Sequence, residues 1–67
     1  MNITVKHADH RWCVLDPSRN EAAAFAEGAV AFDFADNLAR EQHAETGRSI
    51  GVRVEVEDAF VDVVRYG

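Results

Sequence analysis

The sequence predicts an α+β fold in which one helix packs on one face of an antiparallel sheet. Within residues 29–46, a stripe recurs at the i, i+3, i+4, i+7 spacing of a single helix face. Its members are Ala31, Phe34, Ala35, Leu38 and Gln42. From residue 50 the period changes to two, and the apolar members of this alternation are Ile50, Val52, Val54 and Val56. The predicted order is strand, strand, short strand, helix, strand, strand, with Leu38 at the centre of the helix face.

Two strands and a turn are predicted before the helix. Residues 2–6 and 11–15 read as strands, and the polar residues 7–10 suit the loop between them. The segment Asp16-Pro17-Ser18-Arg19-Asn20 is a strong turn signal, because proline presets φ and Asp16 can bond the backbone ahead of it.

Residues 21–26 fit two structures. Ser18 and Glu21 have the spacing of a capping box, and the alanines at 22–24 favour a helix that would run from 19 to 46. Against this, Gly28 interrupts the segment, and Phe25 would lie roughly 120° from the helix stripe at about 100° per residue. We therefore predict a short strand and keep the long helix as the alternative.

The limits of the helix are indicated by two glycines. Gly28 precedes the stripe, and Gly47 suits the residue that follows a helix C-terminus. His43 falls near the last turn, where a cation complements the helix dipole. Asp36 and Arg40 are four residues apart and are expected to form an ion pair on the helix surface.

The last two strands are predicted to form a hairpin with Asp58-Ala59 as its loop. This loop would pair Val56 with Val61 and Val54 with Val63, all facing the helix. The opposite face would carry Arg53, Glu55, Phe60, Asp62, Val64 and Tyr66. A longer loop is the alternative, because a tight turn wants a positive φ that Ala59 disfavours.

Length and charge limit the classes of function. We expect one small α+β domain over residues 1–67, marginal in stability because a domain of this size buries only about 60% of its unfolded surface. The net charge is −5, and the seven basic residues are scattered from Lys6 to Arg65. A nucleic-acid or anionic-membrane partner needs clustered cations, so neither is expected.

A cytoplasmic protein without a cofactor is the default expectation. Cys13 is the only cysteine, so the chain cannot be a disulfide scaffold. Residues 1–6 lack the apolar core of a signal peptide, and no apolar run is long enough to span a bilayer. No glycine-rich phosphate loop is present.

Three groups of side chains could carry chemistry, and each has a plainer interpretation. His7, His10 and Cys13 are ligand types that Zn²⁺ prefers, but a structural site needs four ligands. Two solvated histidines and a buried thiol are the preferred interpretation, and Cys13 lacks the neighbours of a catalytic nucleophile. Glu55 and Asp62 would face each other, although an exposed pair rarely has the raised pKa that acid–base catalysis needs. We expect a protein that is not an enzyme and has no metal site, with a metal-binding module as one alternative.

A surface for association is the preferred functional interpretation. One helix covers only one face of a sheet, so aromatic and aliphatic side chains on the other face indicate a partner. The candidates are Trp12, Phe60, Val64, Tyr66 and Arg53. We expect a homodimer or a small protein partner bound through this face, with pairing of an unpaired strand edge as the competing mode of association. Alternatively Trp12 and Phe60 fold over the sheet edge, or Trp12 lies in the core.

The chain resembles the DUF2188 family of small bacterial proteins of unknown function. The likeness rests on Trp12-x-Val14, the Ala31-x-x-Phe34-Ala35-x-x-Leu38-Ala39 helix and the terminal Tyr66-Gly67. Members typically carry a threonine-type cap before the helix and an Asp-Gly hairpin turn, where this chain has Glu27 and Asp58-Ala59. The resemblance implies the predicted fold but no activity.

A weaker similarity is to HicB-type antitoxins, whose partial RNase H-like fold runs three strands, a helix and a strand. The Trp12-x-Val14 strand and the alanine-rich helix carry it. The glycine- and threonine-rich approach to the helix that is typical of that family is reduced here to Gly28. This resemblance implies a regulator that binds a small toxin.

Overall fold

A computed structural model describes all residues from Met1 to Gly67. It contains one helix and one five-stranded sheet. The elements are β1 (Asn2–Ala8), β2 (Arg11–Asp16), β3 (Glu21–Phe25), α1 (Gly28–Thr46), β4 (Ile50–Val56) and β5 (Ala59–Tyr66). The α+β class, the order of elements along the chain and the single helix are as the sequence predicts.

The sheet is mixed, and the prediction of an antiparallel sheet is wrong. Its strand order is β3-β2-β1-β4-β5, in which β1 and β4 are parallel and every other pair is antiparallel. The reason is the helix between β3 and β4. A helix that runs back along the sheet returns the chain to the end at which β3 began, so the next strand runs parallel to β3. Because β3 is itself parallel to β1, β4 joins β1 in a parallel pair.

The short strand at residues 21–25 is confirmed, and the long-helix alternative is wrong. Phe25 lies opposite Trp12 on β2, a pairing that a helix would not allow. The turn before the strand depends on Asp16, whose carboxylate accepts hydrogen bonds from the Ser18 amide at 3.1 Å and the Ser18 hydroxyl at 2.7 Å. Ser18 is therefore held in a turn and does not cap a helix.

The helix begins at Gly28 and ends at Thr46, as predicted, but its buried stripe differs in part. The residues that it buries are Ala31, Ala35, Ala39 and Gln42. Phe34, predicted on the buried stripe, is 38% exposed, and Leu38 is half-buried at the margin of the core. Small side chains at the centre of the contact let the helix backbone approach the sheet closely.

The helix has a glycine cap at its C-terminus and no side-chain cap at its N-terminus. Gly47 has a φ of 71° and its amide donates to the His43 carbonyl at 2.8 Å, which is the predicted stop. At the other end, Glu27 makes no capping bond with its side chain. A Cβ atom on Gly28 would lie 2.9 Å from the Trp12 indole, so glycine is needed there for close packing.

The core lies between the helix and the central strands. Its fully buried members on the sheet are Ile3, Val5, Val14, Ile50 and Val52. One polar link enters this region, because the Gln42 amide donates to the buried Asp16 carboxylate at 2.7 Å. This bond joins the end of the helix to the turn between β2 and β3.

The β4–β5 hairpin turns at Glu57-Asp58, one residue before the predicted loop. Glu57 has the positive φ of 55° that the turn needs, so the predicted loop and its pairing of Val56 with Val61 are wrong. Val56 instead lies opposite Ala59, and Val54 opposite Val61. Further along the hairpin the register shifts: Arg53 pairs with Asp62, but the preceding residue Val52 pairs with Val64. Val63 is thus an extra residue, a β-bulge.

No helix of the protein combines the length and the apolar character that a membrane crossing requires.

The burial pattern predicts that enlarging Ala35 damages the fold at least as much as truncating Leu38. Ala35→Leu inserts a side chain where none fits and should lower the free energy of unfolding by about 1–3 kcal/mol or more. Leu38→Ala should cost about 1–2 kcal/mol, below the 2–5 kcal/mol typical of fully buried leucines. Urea titrations followed by Trp12 fluorescence would give both values.

Ala44→Leu is the matched control, because Ala44 is an exposed helix position. It should leave the urea midpoint nearly unchanged. A stable Ala35→Leu variant, or a Leu38→Ala variant that does not fold, would contradict the assignment of the alanine face as the centre of the contact.

Candidate interaction surface

The outer edge of β5 is the longest unpaired strand edge in the molecule. β5 spans eight residues and pairs only with β4, whereas the opposite edge strand β3 has five. Four large apolar side chains of the β4–β5 hairpin are about half-exposed: Val56, Phe60, Val61 and Val63. An edge of this length and apolar character is a template for pairing with another chain.

The bulge at Val63 decides which side chains of β5 meet the helix. Val61 lies opposite Val54 and Val64 opposite Val52, so both are on the helix side. Phe60, which lies opposite Glu55, points to the uncovered face. A strand with strict alternation would have placed Val64 with Phe60, as the sequence predicted; the extra residue reverses the alternation.

The structure brings together only two of the five predicted interface residues. The Arg53 guanidinium lies over the Phe60 ring at 4.2 Å from its centroid, on the uncovered face. Val64 and Tyr66 pack against the core on the helix side, so their predicted place on the uncovered face is wrong. Replacing either by glutamate would therefore disturb the contact between helix and sheet.

Trp12 is half-buried at the margin of the core, and not on the uncovered face. The His7 imidazole stacks on its indole with centroids 4.3 Å apart, and Phe32 of the helix approaches it at 5.9 Å. Trp12 packs against the core cluster on the helix side of β2. It is remote from β5, with two strands between them.

Tyr66 links the end of β5 to the helix. Its hydroxyl donates a hydrogen bond to Asp36 and accepts one from the Arg40 Nε at 3.0 Å. The predicted ion pair is present, with Arg40 Nη2 at 3.3 Å from the Asp36 carboxylate. The hydrogen bond from Arg40 to Tyr66, and after it the charge of Asp36, raise the pKa of Arg40 above its ordinary value.

The uncovered face carries paired charges at its centre. Lys6 on β1 lies 3.3 Å from the Glu55 carboxylate, and Arg53 donates to the Thr4 hydroxyl at 3.2 Å. The predicted pairing of Glu55 with Asp62 is wrong, because Glu55 lies opposite Phe60 and Asp62 opposite Arg53. The two carboxylates therefore do not face each other across the strands, and they do not form the pair that was considered for acid–base chemistry.

A shallow groove of about 390 Å³ lies at one end of this face. It is lined by residues of the β2–β3 turn and the start of β3, together with Asn2, Thr4, Leu15 and Arg53. Arg53 is the one cation in the lining and is already engaged by Thr4 and Phe60. The groove thus has no free cation aimed into it.

His7, His10 and Cys13 do not form a cluster. His7 stacks on Trp12 on the helix side, Cys13 lies on the opposite face beside Lys6, and His10 occupies the β1–β2 turn with a φ of 62°. No group of three or more histidine, cysteine or acidic residues is placed to hold a metal ion. The fold therefore does not bring these three side chains to one place.

The sequence interpretation missed Val56, Val61 and Val63. A signal for Val61 and Val63 was present in the run Phe60-Val61-Asp62-Val63-Val64, which has too many apolar residues for one face of a regular strand. Such a run indicates a bulge or a strand exposed to a partner on both faces.

No protein-family model matches this chain, and comparisons with curated proteins and with solved structures found no significant match.

Zinc should leave the thermal stability of the protein nearly unchanged. A specific site at a hundredfold excess of ligand over its Kd would add about 2.7 kcal/mol, which is a rise in Tm of more than about 10 °C for a domain of this size. Melting curves with and without Zn²⁺ measure this. A stoichiometric site in calorimetry that disappears in His10→Ala would contradict the geometry.

Tyr66→Phe should lower the free energy of unfolding by about 1 kcal/mol, because the ring stays in place while two hydrogen bonds are lost. The Asp36–Arg40 pair remains in this variant, so a larger loss is not expected. Urea titration measures the change, with Thr46→Val, which removes another hydroxyl bonded to the helix, as a comparison. An unchanged midpoint would show that Tyr66 is not held by the helix.

Proposed function

We propose that this chain is a small non-enzymatic protein that acts through a protein–protein interface formed by the outer edge of β5. The observation that carries the proposal is an eight-residue edge with no strand beside it and half-exposed apolar side chains along its hairpin. An edge of this kind binds by adding a strand from another chain, whose backbone satisfies its free amides and carbonyls.

The small core supports the same interpretation. Twelve of the 67 residues are buried, and eight large apolar side chains are exposed. A domain with so little buried surface gains stability from association. We also propose a cytoplasmic location, because a chain whose one cysteine is free does not need an oxidising compartment.

A toxin-binding regulator is the second candidate. The observation that favours it is the order of three strands, a helix and a strand from β1 to β4, which is the order that the antitoxin resemblance implies. The partner would then be a small protein encoded beside this one, and a toxin-like neighbouring gene would support this candidate. Membership of the DUF2188 family, in contrast, would add no activity to either proposal.

A photo-cross-linking residue at position 63 should form adducts in cells, and the same residue at position 30 should not. Val30 on the helix is the matched control, because it is 48% exposed and Val63 on the β5 edge is 52% exposed. Mass spectrometry of the adducts identifies a second copy or another protein. A small toxin-like adduct would favour the second candidate.

Adducts that form equally at both positions, or at neither, would contradict an interface on β5. The cross-linker replaces an exposed valine in each case, so circular dichroism should show unchanged folding for both chains.

A further inference from the structure

We propose that the occupant of the β5 edge is a second copy of this chain, paired antiparallel about a two-fold axis between Val63 and Val64. This inference rests on the proposed function and names its partner. Two five-stranded sheets would then continue into one ten-stranded sheet. The axis follows from the positions of the bulge and of the two charges on β5.

The bulge limits the registers in which two β5 strands match face to face. Residues opposite each other in an antiparallel pair share a face of the sheet. Val61 and Tyr66 lie on the helix side, while Asp62 and Arg65 lie on the uncovered side. With an axis between 63 and 64, position 61 meets position 66 and position 62 meets position 65. In each pair the two facing residues lie on the same side of the sheet, because the extra residue Val63 lies between position 62 and position 65 of the strand.

The same register makes the edge complementary to itself in charge. Asp62 and Arg65 are the only charged residues of β5. In the proposed pair, Asp62 of each copy faces Arg65 of the other, which gives two symmetric ion pairs. Opposite charges that face each other across strands stabilise the pairing, and like charges in the same positions oppose it.

Pairing of β5 with β5 of a second copy is favoured over pairing of β5 with β3 of a second copy. An isologous contact of β5 with β5 closes as a dimer, whereas β5 with β3 would leave free edges and build an open assembly. β3 is also a poorer pairing strand, since three of its five residues are alanine. The β5 edge therefore favours a closed dimer over a filament.

Charge reversal tests the register directly. Asp62→Arg places two cations opposite each other at both ends of the contact, and Arg65→Asp places two anions there. Each variant alone should raise the Kd of the dimer at least tenfold, which corresponds to about 1.4 kcal/mol. An equimolar mixture of the two should associate again, because every facing pair is then of opposite charge. Sedimentation velocity at low salt measures all three samples.

Two controls carry the same change of charge away from the edge. Asp33 on the helix and Arg48 after it are both exposed. Asp33→Arg and Arg48→Asp should dimerise like the unmodified chain, which separates the contact from the effect of net charge. Circular dichroism reports whether each variant is folded.

A second measurement does not depend on charge or on the stability of the reversed variants. In a Cys13→Ser background, chains with Asp62→Cys and Arg65→Cys should form a disulfide with each other, because facing Cβ atoms lie about 4.5–5.5 Å apart. Each chain alone should cross-link at least tenfold more slowly than the mixture.

Failure of this inference is distinguishable from failure of the proposed function. A chain that stays monomeric at about millimolar concentration, or a mixture that neither associates nor cross-links, overturns the pairing with a second copy. If position 63 then still cross-links to another protein, the interface on β5 stands. If it forms no adduct, both are wrong.

Discussion

Three alanines at four-residue intervals let the helix backbone approach the sheet closely, and the rest of the structure is arranged around that contact. Ala31, Ala35 and Ala39 are fully buried against isoleucine and valine side chains of the sheet. The apolar side chains at the centre of the contact are all small, and Leu38 and the helix phenylalanines lie at the margins. Dispersion and burial over this short distance therefore replace the bulky helix stripe that the sequence suggested.

Polar links fix the helix across the width of the sheet. Gln42 is held by the buried Asp16 of the β2–β3 turn, and Asp36 and Arg40 are held by Tyr66 at the end of β5. Asp16 costs little in the interior because its oxygens accept hydrogen bonds from Ser18 and Gln42. These links set the direction of the helix, which packing of small alanines alone would leave loosely defined.

Coverage by one helix explains where the candidate surface lies. The helix packs over β1, β2 and β4, and the outer parts of β5 extend beyond it. The valines of the β4–β5 hairpin consequently keep about half of their surface exposed. The opposite face is different, because Lys6, Glu55 and Arg53 are paired with one another or with Thr4 and Phe60. An unpaired edge thus coincides with exposed apolar side chains only along β5.

Local pattern alone determined the α+β class, the number of elements and the ends of the helix. These features depend on periodicity, on the turn at Asp16 and on Gly47, all of which act between residues close in the chain. The parallel β1–β4 pair, the bulge at Val63 and the exchange of Val64 and Tyr66 to the helix side were decided by the tertiary structure. Strand order and register depend on contacts between distant residues, and one extra residue in β5 reverses the face of every residue after it. The sequence placed Phe60 and Arg53 on the uncovered face correctly, whereas the strand order that leaves β5 at an edge required the fold.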